Sequence, residues 1–178
     1  MKLKVTAILR ILVERTYDID TKKDCIDKMA KYFKLSEKAN TLRKRLHHND
    51  IIFTNAVEMF DYLKYSVYAV NKSEKICLPS TEIAIQSIGN IMKNNRVSKA
   101  DLARSLGVSY RAVMAFFKQA NLKTETIVKI FNALNYEVVV EAQEAGRERF
   151  IVGNGYWEDY KFNAIYREAE SFLLSEVI

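Results

Sequence analysis

Two stretches of this chain carry side chains of the kinds that read nucleic acid, spaced so that they share one face of a helix. Between Ser109 and Lys118, helical spacing turns Ala112, Val113 and Phe116 to one side. The opposite side shows Arg111, Met114, Ala115 and Lys118, with Ser109 and Tyr110 at the amino-terminal tip. A guanidinium such as Arg111 bonds guanine in the major groove, and Ser109 or Tyr110 at a helix start can hold phosphate. Upstream, a helix begun at Ser36 and reaching His47 or His48 places Ala39, Leu42 and Leu46 inside. Its outer face carries Glu37, Asn40, Thr41, Lys44 and His48, flanked by Lys38, Arg43, Arg45 and His47. Asn, Thr and Arg suit base edges, and lysines suit phosphates. A solvated charged helix has the same pattern, so this face alone leaves both readings open.

No other constellation nominates a chemistry. The five glycines are scattered and none opens a phosphate-binding run. No Ser or Cys nucleophile sits in a motif with a His partner. Glu168, Glu170 and Glu176 lack a His at ligand spacing, and the adjacent His47 and His48 have no Cys or second His at i+3 or i+4. Cys25 and Cys77 stand far apart and read as thiols of a reducing compartment. The expectation is a non-enzyme with no cofactor and no metal.

Composition agrees with a folded chain: 49% of residues are apolar and 28% charged. No run approaches the ~20 apolar residues of a membrane span, and the apolar run from Ala7 to Val13 is broken by Arg10 with no cleavage site behind it. A cytoplasmic protein that makes no membrane contact is expected. Charge is divided along the chain, at +5 for residues 1–70, +5 for 71–140 and −4 for 141–178. A basic body with an acidic tail suits an anionic partner held by the first two parts.

Local start and stop signals place the second stretch within a set of short helices. Ile83, Ile85, Ile88, Ile91 and Met92 mark a helix over 82–94. Ser98 with Asp101 three residues on is a near capping box for a helix over 99–106, and Gly107 is the residue that stops it. Ser109 caps the next helix, over about 110–119, and Thr124 caps another over 125–134. Asn135 is a left-handed terminator, and Tyr136 to Glu141 reads as a strand.

Two short helices joined at a Gly-centred turn form a helix-turn-helix. The run Ala100-Asp-Leu-Ala-Arg-Ser-Leu-Gly-Val-Ser-Tyr-Arg-Ala-Val113 resembles the lambda-repressor/Cro type, as does the ending Ile127-Val-Lys-Ile-Phe-Asn-Ala-Leu-Asn-Tyr-Glu-Val-Val-Val140. The resemblance implies that the second helix enters the major groove of double-stranded DNA. It also implies that Ser109, Tyr110, Arg111 and Met114 meet base edges. Three residues depart from the family habit: Tyr110 where Gln is common, Met114 beside Ala115, and Phe117 where a polar residue is usual.

The end of this unit recurs upstream. Val57, Phe60, Leu63, Tyr65 and Val67 fall on Val128, Phe131, Leu134, Tyr136 and Val138 at an offset of 71, and Phe33-Lys-Leu-Ser36 resembles Leu106-Gly-Val-Ser109 at 73. A second, diverged helix-turn-helix is expected over 1–70, with Lys34 in place of the turn glycine. Residues 71–80, with the only proline, Pro79, read as a strand, turn and strand linker. The main helix-turn-helix domain is expected over 81–141. In 142–178, a returning strand near 148–152 leads to an acidic amphipathic helix from Trp157 that packs or dimerises.

The fold class expected is therefore mainly α with small β elements: tandem helix-turn-helix domains, each ending in a strand free to pair with the other or across a dimer, plus a carboxy-terminal helix. The function expected is a DNA-binding transcriptional regulator of phage or mobile-element type, as a homodimer. The alternative is a phage-encoded inhibitor, similar to some anti-CRISPR proteins, or an adaptor that grips a protein partner through Tyr110, Met114 and Phe117 or through the last helix.

Overall fold

The computed structural model describes residues 2–18, 44, 51–144 and 148–153. In chain order they form β1 (Lys2–Leu3), α1 (Val5–Tyr17), α2 (Phe53–Tyr62), β2 (Tyr65–Val70) and β3 (Lys75–Cys77). Then follow α3 (Thr81–Asn94), α4 (Lys99–Leu106), α5 (Tyr110–Phe116), α6 (Thr124–Ala133), β4 (Glu137–Ala142) and β5 (Arg149–Val152). Cys25, most of the helix expected over 36–48 and the expected carboxy-terminal helix lie outside the described residues.

The architecture follows from one local unit used twice. In α2 the apolar residues Phe53, Ala56, Val57, Met59 and Phe60 fall on one side and are buried; in α6 Ile127, Val128, Ile130 and Phe131 do the same. Each helix stops where the next residue but one turns left-handed: Lys64 at φ 67° and Asn135 at φ 65°. The stop is closed by matching bonds, Leu63 N–H to Met59 O and Leu134 N–H to Ile130 O. A strand leaves at once, β2 from one unit and β4 from the other. Every pair expected from the offset of 71 lies in the core or against it, with Tyr65 the least buried.

The two units face each other across reciprocal contacts. Phe53 N–H donates to Leu122 O and Thr124 N–H donates to Ile51 O, each at 2.9 Å, around an antiparallel bridge between Ile52 and Lys123. These pairs exchange under the same offset of 71. So does the antiparallel register of β2 on β4, from Tyr65↔Ala142 to Val70↔Glu137, whose central equivalent pair is Tyr68↔Val139. The units are thus related by a local two-fold axis through the middle of the sheet. β3 flanks β2 and β5 flanks β4, giving the order β1-β5-β4-β2-β3, with β1 added parallel to β5.

Of the two pairings expected for the terminal strands, the structure has the one within the chain: among the described residues they gather into one five-stranded mixed sheet, and the fold is mixed α and β rather than mainly α. Backbone pairing is the reason. An extended strand cannot pair its own N–H and C=O groups, and the other unit supplies the partner edge. The segment expected as a linker supplies β3. It turns on Asn71, whose Oδ1 accepts from the backbone N–H groups of Ser73 and Glu74 at 2.8 Å each. Phe53, Phe60, Phe131, Ile8, Leu9, Met59, Leu78 and Ile88 are fully enclosed in a core shared by both units. Each such burial is worth roughly 1.5–3 kcal/mol before entropy is counted.

Candidate nucleic-acid interface

Helices α4 and α5 are fixed by hydrogen bonds that their own sequence supplies. Ser98 Oγ accepts from Asp101 N–H at 3.1 Å, and Asp101 Oδ2 accepts from Ser98 N–H at 2.9 Å, a complete capping box. The Ser98 hydroxyl also donates to Asp101 Oδ2 at 2.5 Å, and this bond, then that from Ser98 N–H, with a smaller pull from Arg104, hold the Asp101 carboxyl below its ordinary value. Leu102 and Ala103 seat α4 in the core. Gly107 then turns left-handed at φ 66°, and Val108 N–H donates back to Ala103 O at 3.0 Å. Ser109 Oγ caps α5 by accepting from Ala112 N–H at 3.2 Å. Val113, fully buried, locks α5 onto this frame.

The outward face of α5 has the expected residues in graded exposure. Ser109, Tyr110 and Arg111 are exposed at its start, with Tyr110 at 55%, while Met114 is half-buried. Lys118 is exposed but lies past the end of the helix. The helix was expected to reach Gln119, and it stops at Phe116 because Leu122 is drawn into the core and carries the chain to the Ile52–Lys123 bridge. Thr124 differs too: it is the first residue of α6 rather than its cap, and its hydroxyl donates to Ile51 O at 2.9 Å.

Phe117 does not join the outward face. It is half-buried against the core, with Lys99 Nζ 4.9 Å from its ring centroid. It borders an open cleft of about 490 Å³ between the end of α5 and the start of α3, lined also by Lys118, Ile85 and Gln86. Ile83, expected with the inward residues of α3, is instead 37% exposed, because Ala84 and Ile88 set the buried stripe. From residue 93 to 118 the chain has six Lys or Arg and one carboxylate, Asp101, which is paired with Arg104 at 2.7 Å. The remaining five, Lys93, Arg96, Lys99, Arg111 and Lys118, give this end a net positive field.

Of the first stretch, Lys44 is helical and exposed. Lys38, Asn40, Thr41, Arg45 and His48 lie outside the described residues. Arg96 was not singled out from sequence. It takes φ 55° in the turn between α3 and α4, where Val97 N–H donates to Met92 O at 2.8 Å. A basic residue two before the Ser98 cap was its only signal. Among the described residues no helix is long and apolar enough to cross a membrane. No protein-family model, curated protein or solved structure matches this chain.

Proposed function

We propose that this chain is a DNA-binding regulator whose α5 enters the major groove, the second helix of a helix-turn-helix formed with α4. One observation carries the reading: an exposed Tyr110–Arg111 tip stands on a helix pair whose starts and turn are all fixed by local bonds, within a surplus of positive charge. A rigid frame matters because base reading needs donors held in place before contact. Arg111 reads a base edge, while Lys118, Lys99 and Arg96 hold phosphates and supply salt-dependent affinity. On the first unit, the exposed Lys44 adds to the phosphate contacts.

The rival reading, an inhibitor or adaptor for a protein, needs an apolar face on α5 or on the expected carboxy-terminal helix, which lies outside the described residues. With Phe117 half-buried under Lys99 and Met114 half-buried, the face on α5 is reduced to Tyr110 and the 39% exposed Val108. This is less than a standard interface core requires.

Fluorescence polarisation with random duplex DNA across a salt series tests the proposal. Tight binding at low salt with a steep negative slope is expected. Arg111→Ala should lower preference for a selected sequence by ~1–3 kcal/mol, whereas Lys44→Ala weakens all sequences alike. Absence of binding at low salt overturns the reading.

A further inference from the structure

The cleft beside Phe117 lies where three elements meet. Lys118 and Ala120 follow the end of α5, Thr54 belongs to the first turn of α2, and Thr81, Glu82 and Ile85 lie in the first two turns of α3. Its volume of about 490 Å³ falls within the range of small-molecule sites, roughly 300–1,000 Å³.

The walls offer three kinds of group. Phe117 and Ile85, both half-buried, and Ala120 give an apolar surface. The Thr54 and Thr81 hydroxyls bond each other at 2.8 Å. One O–H serves that bond, and the other is left to donate. Among the described residues that line the cleft, Glu82 and Lys118 alone are charged, and their signs are opposite. A ligand of one sign would be drawn to one of these groups and repelled by the other. A purely apolar ligand would answer neither the charges nor the hydroxyls. A molecule with both charges beside an apolar group answers all three.

We infer that the cleft binds a small zwitterion with a bulky apolar group, of the chemistry of a free aromatic amino acid. Its carboxylate meets Lys118, its ammonium meets Glu82, and its apolar group lies on Phe117 and Ile85. A Lys118 ammonium engaged by the ligand is withdrawn from phosphate, so the occupied cleft weakens the hold on duplex DNA. This second step, unlike the first, rests on the DNA-binding reading above.

Amide NMR of the full 20.6 kDa chain tests the site, by titration with L-phenylalanine, 3-phenylpropionate and 2-phenylethylamine. Phenylalanine should shift the amides of Ile85, Gln86 and residues 117–120 saturably, and should bind more tightly than either compound that lacks one charge. Glu82→Gln and Lys118→Gln should each weaken it about 2- to 5-fold, the worth of an exposed charge pair. Ala120→Trp, at an exposed position, should fill the cleft and abolish binding with the thermal midpoint unchanged. No saturable shift at these amides overturns the site and leaves the DNA-binding reading untouched. Equal binding of phenylalanine and either one-charge compound overturns the zwitterion.

The second step is read with random duplex DNA in a salt series. Saturating phenylalanine should reduce the negative slope by about one, as Lys118→Gln does without ligand. It should change Lys118→Gln no further. An unchanged slope with the cleft occupied overturns the competition for Lys118. No duplex binding with or without ligand removes the DNA-binding reading and the competition together, while the amide shifts still decide the site.

Discussion

Two glycines of the second unit answer the same substitution with opposite signs. Gly107 ends α4 at φ 66°, and a Cβ built there meets no atom within 4 Å. Gly107→Ala therefore brings no clash, and its cost is conformational. An L-residue in the left-handed region loses roughly 1–2 kcal/mol, offset by about 0.4–1 kcal/mol from a less flexible unfolded chain. The net expectation is about 1 kcal/mol of destabilisation. Gly89 lies in the middle of α3, exposed, and its Cβ also meets nothing within 4 Å. There Ala should add about 0.8–1 kcal/mol by helix propensity. The two variants should differ by about 2 kcal/mol, and the double variant should return close to wild type because the sites share no partner. Urea unfolding followed by circular dichroism reads this as a midpoint that falls for Gly107→Ala and rises for Gly89→Ala at constant slope. A neutral Gly107→Ala would refute the role given to the left-handed turn, and with it the account of how α5 is aimed.

Thr124→Val should cost about 1 kcal/mol, the worth of one buried side-chain bond, because it removes the hydroxyl donated to Ile51 O at the junction of the units. Unchanged thermal and urea midpoints would show that the bond contributes nothing. The Tyr136 phenol is pushed up to about 12, first by burial, then by its bond to Glu74 and that carboxylate's charge. Its folded value lies above its unfolded value near 10, so its contribution is complete below pH 10 and is lost as pH rises through about 12. Stability should fall across that window in wild type and fall less in Tyr136→Phe; parallel losses in urea titrations would exclude Tyr136 as the cause.

What was legible in the sequence was what is decided within a few residues. The Ser98–Asp101 box, the Gly107 stop, the Ser109 cap and the Asn135 terminator are bonds or torsions spanning at most one helical turn, and each residue type points to its own geometry. Ser109, Tyr110, Arg111 and Met114, the candidate reading residues, could be placed on one side of α5 because they ride on that local frame. The features misread depend on partners far along the chain. Thr124 suits a cap and a first helical turn equally, and only Ile51 decides between them. Phe117 reads as exposed until Lys99, on a different helix, is laid over it. The end of α5 is set by Leu122 and the Ile52–Lys123 bridge rather than by any stop signal near Phe116.

The repeat lies between these cases. The offset of 71 was visible as matched apolar residues, but those residues say only that the same unit is built twice. They do not say that the copies meet. That follows from strands too short to stand alone, whose nearest supply of matching backbone edge is the other copy, in the one register that keeps Val67, Ala69, Val138 and Val140 on the same buried face. The pairing of one terminal strand with the other, left open in the sequence beside pairing across a dimer, joins the two units into one body. A chain whose halves must pair to complete a sheet has its two-fold built in.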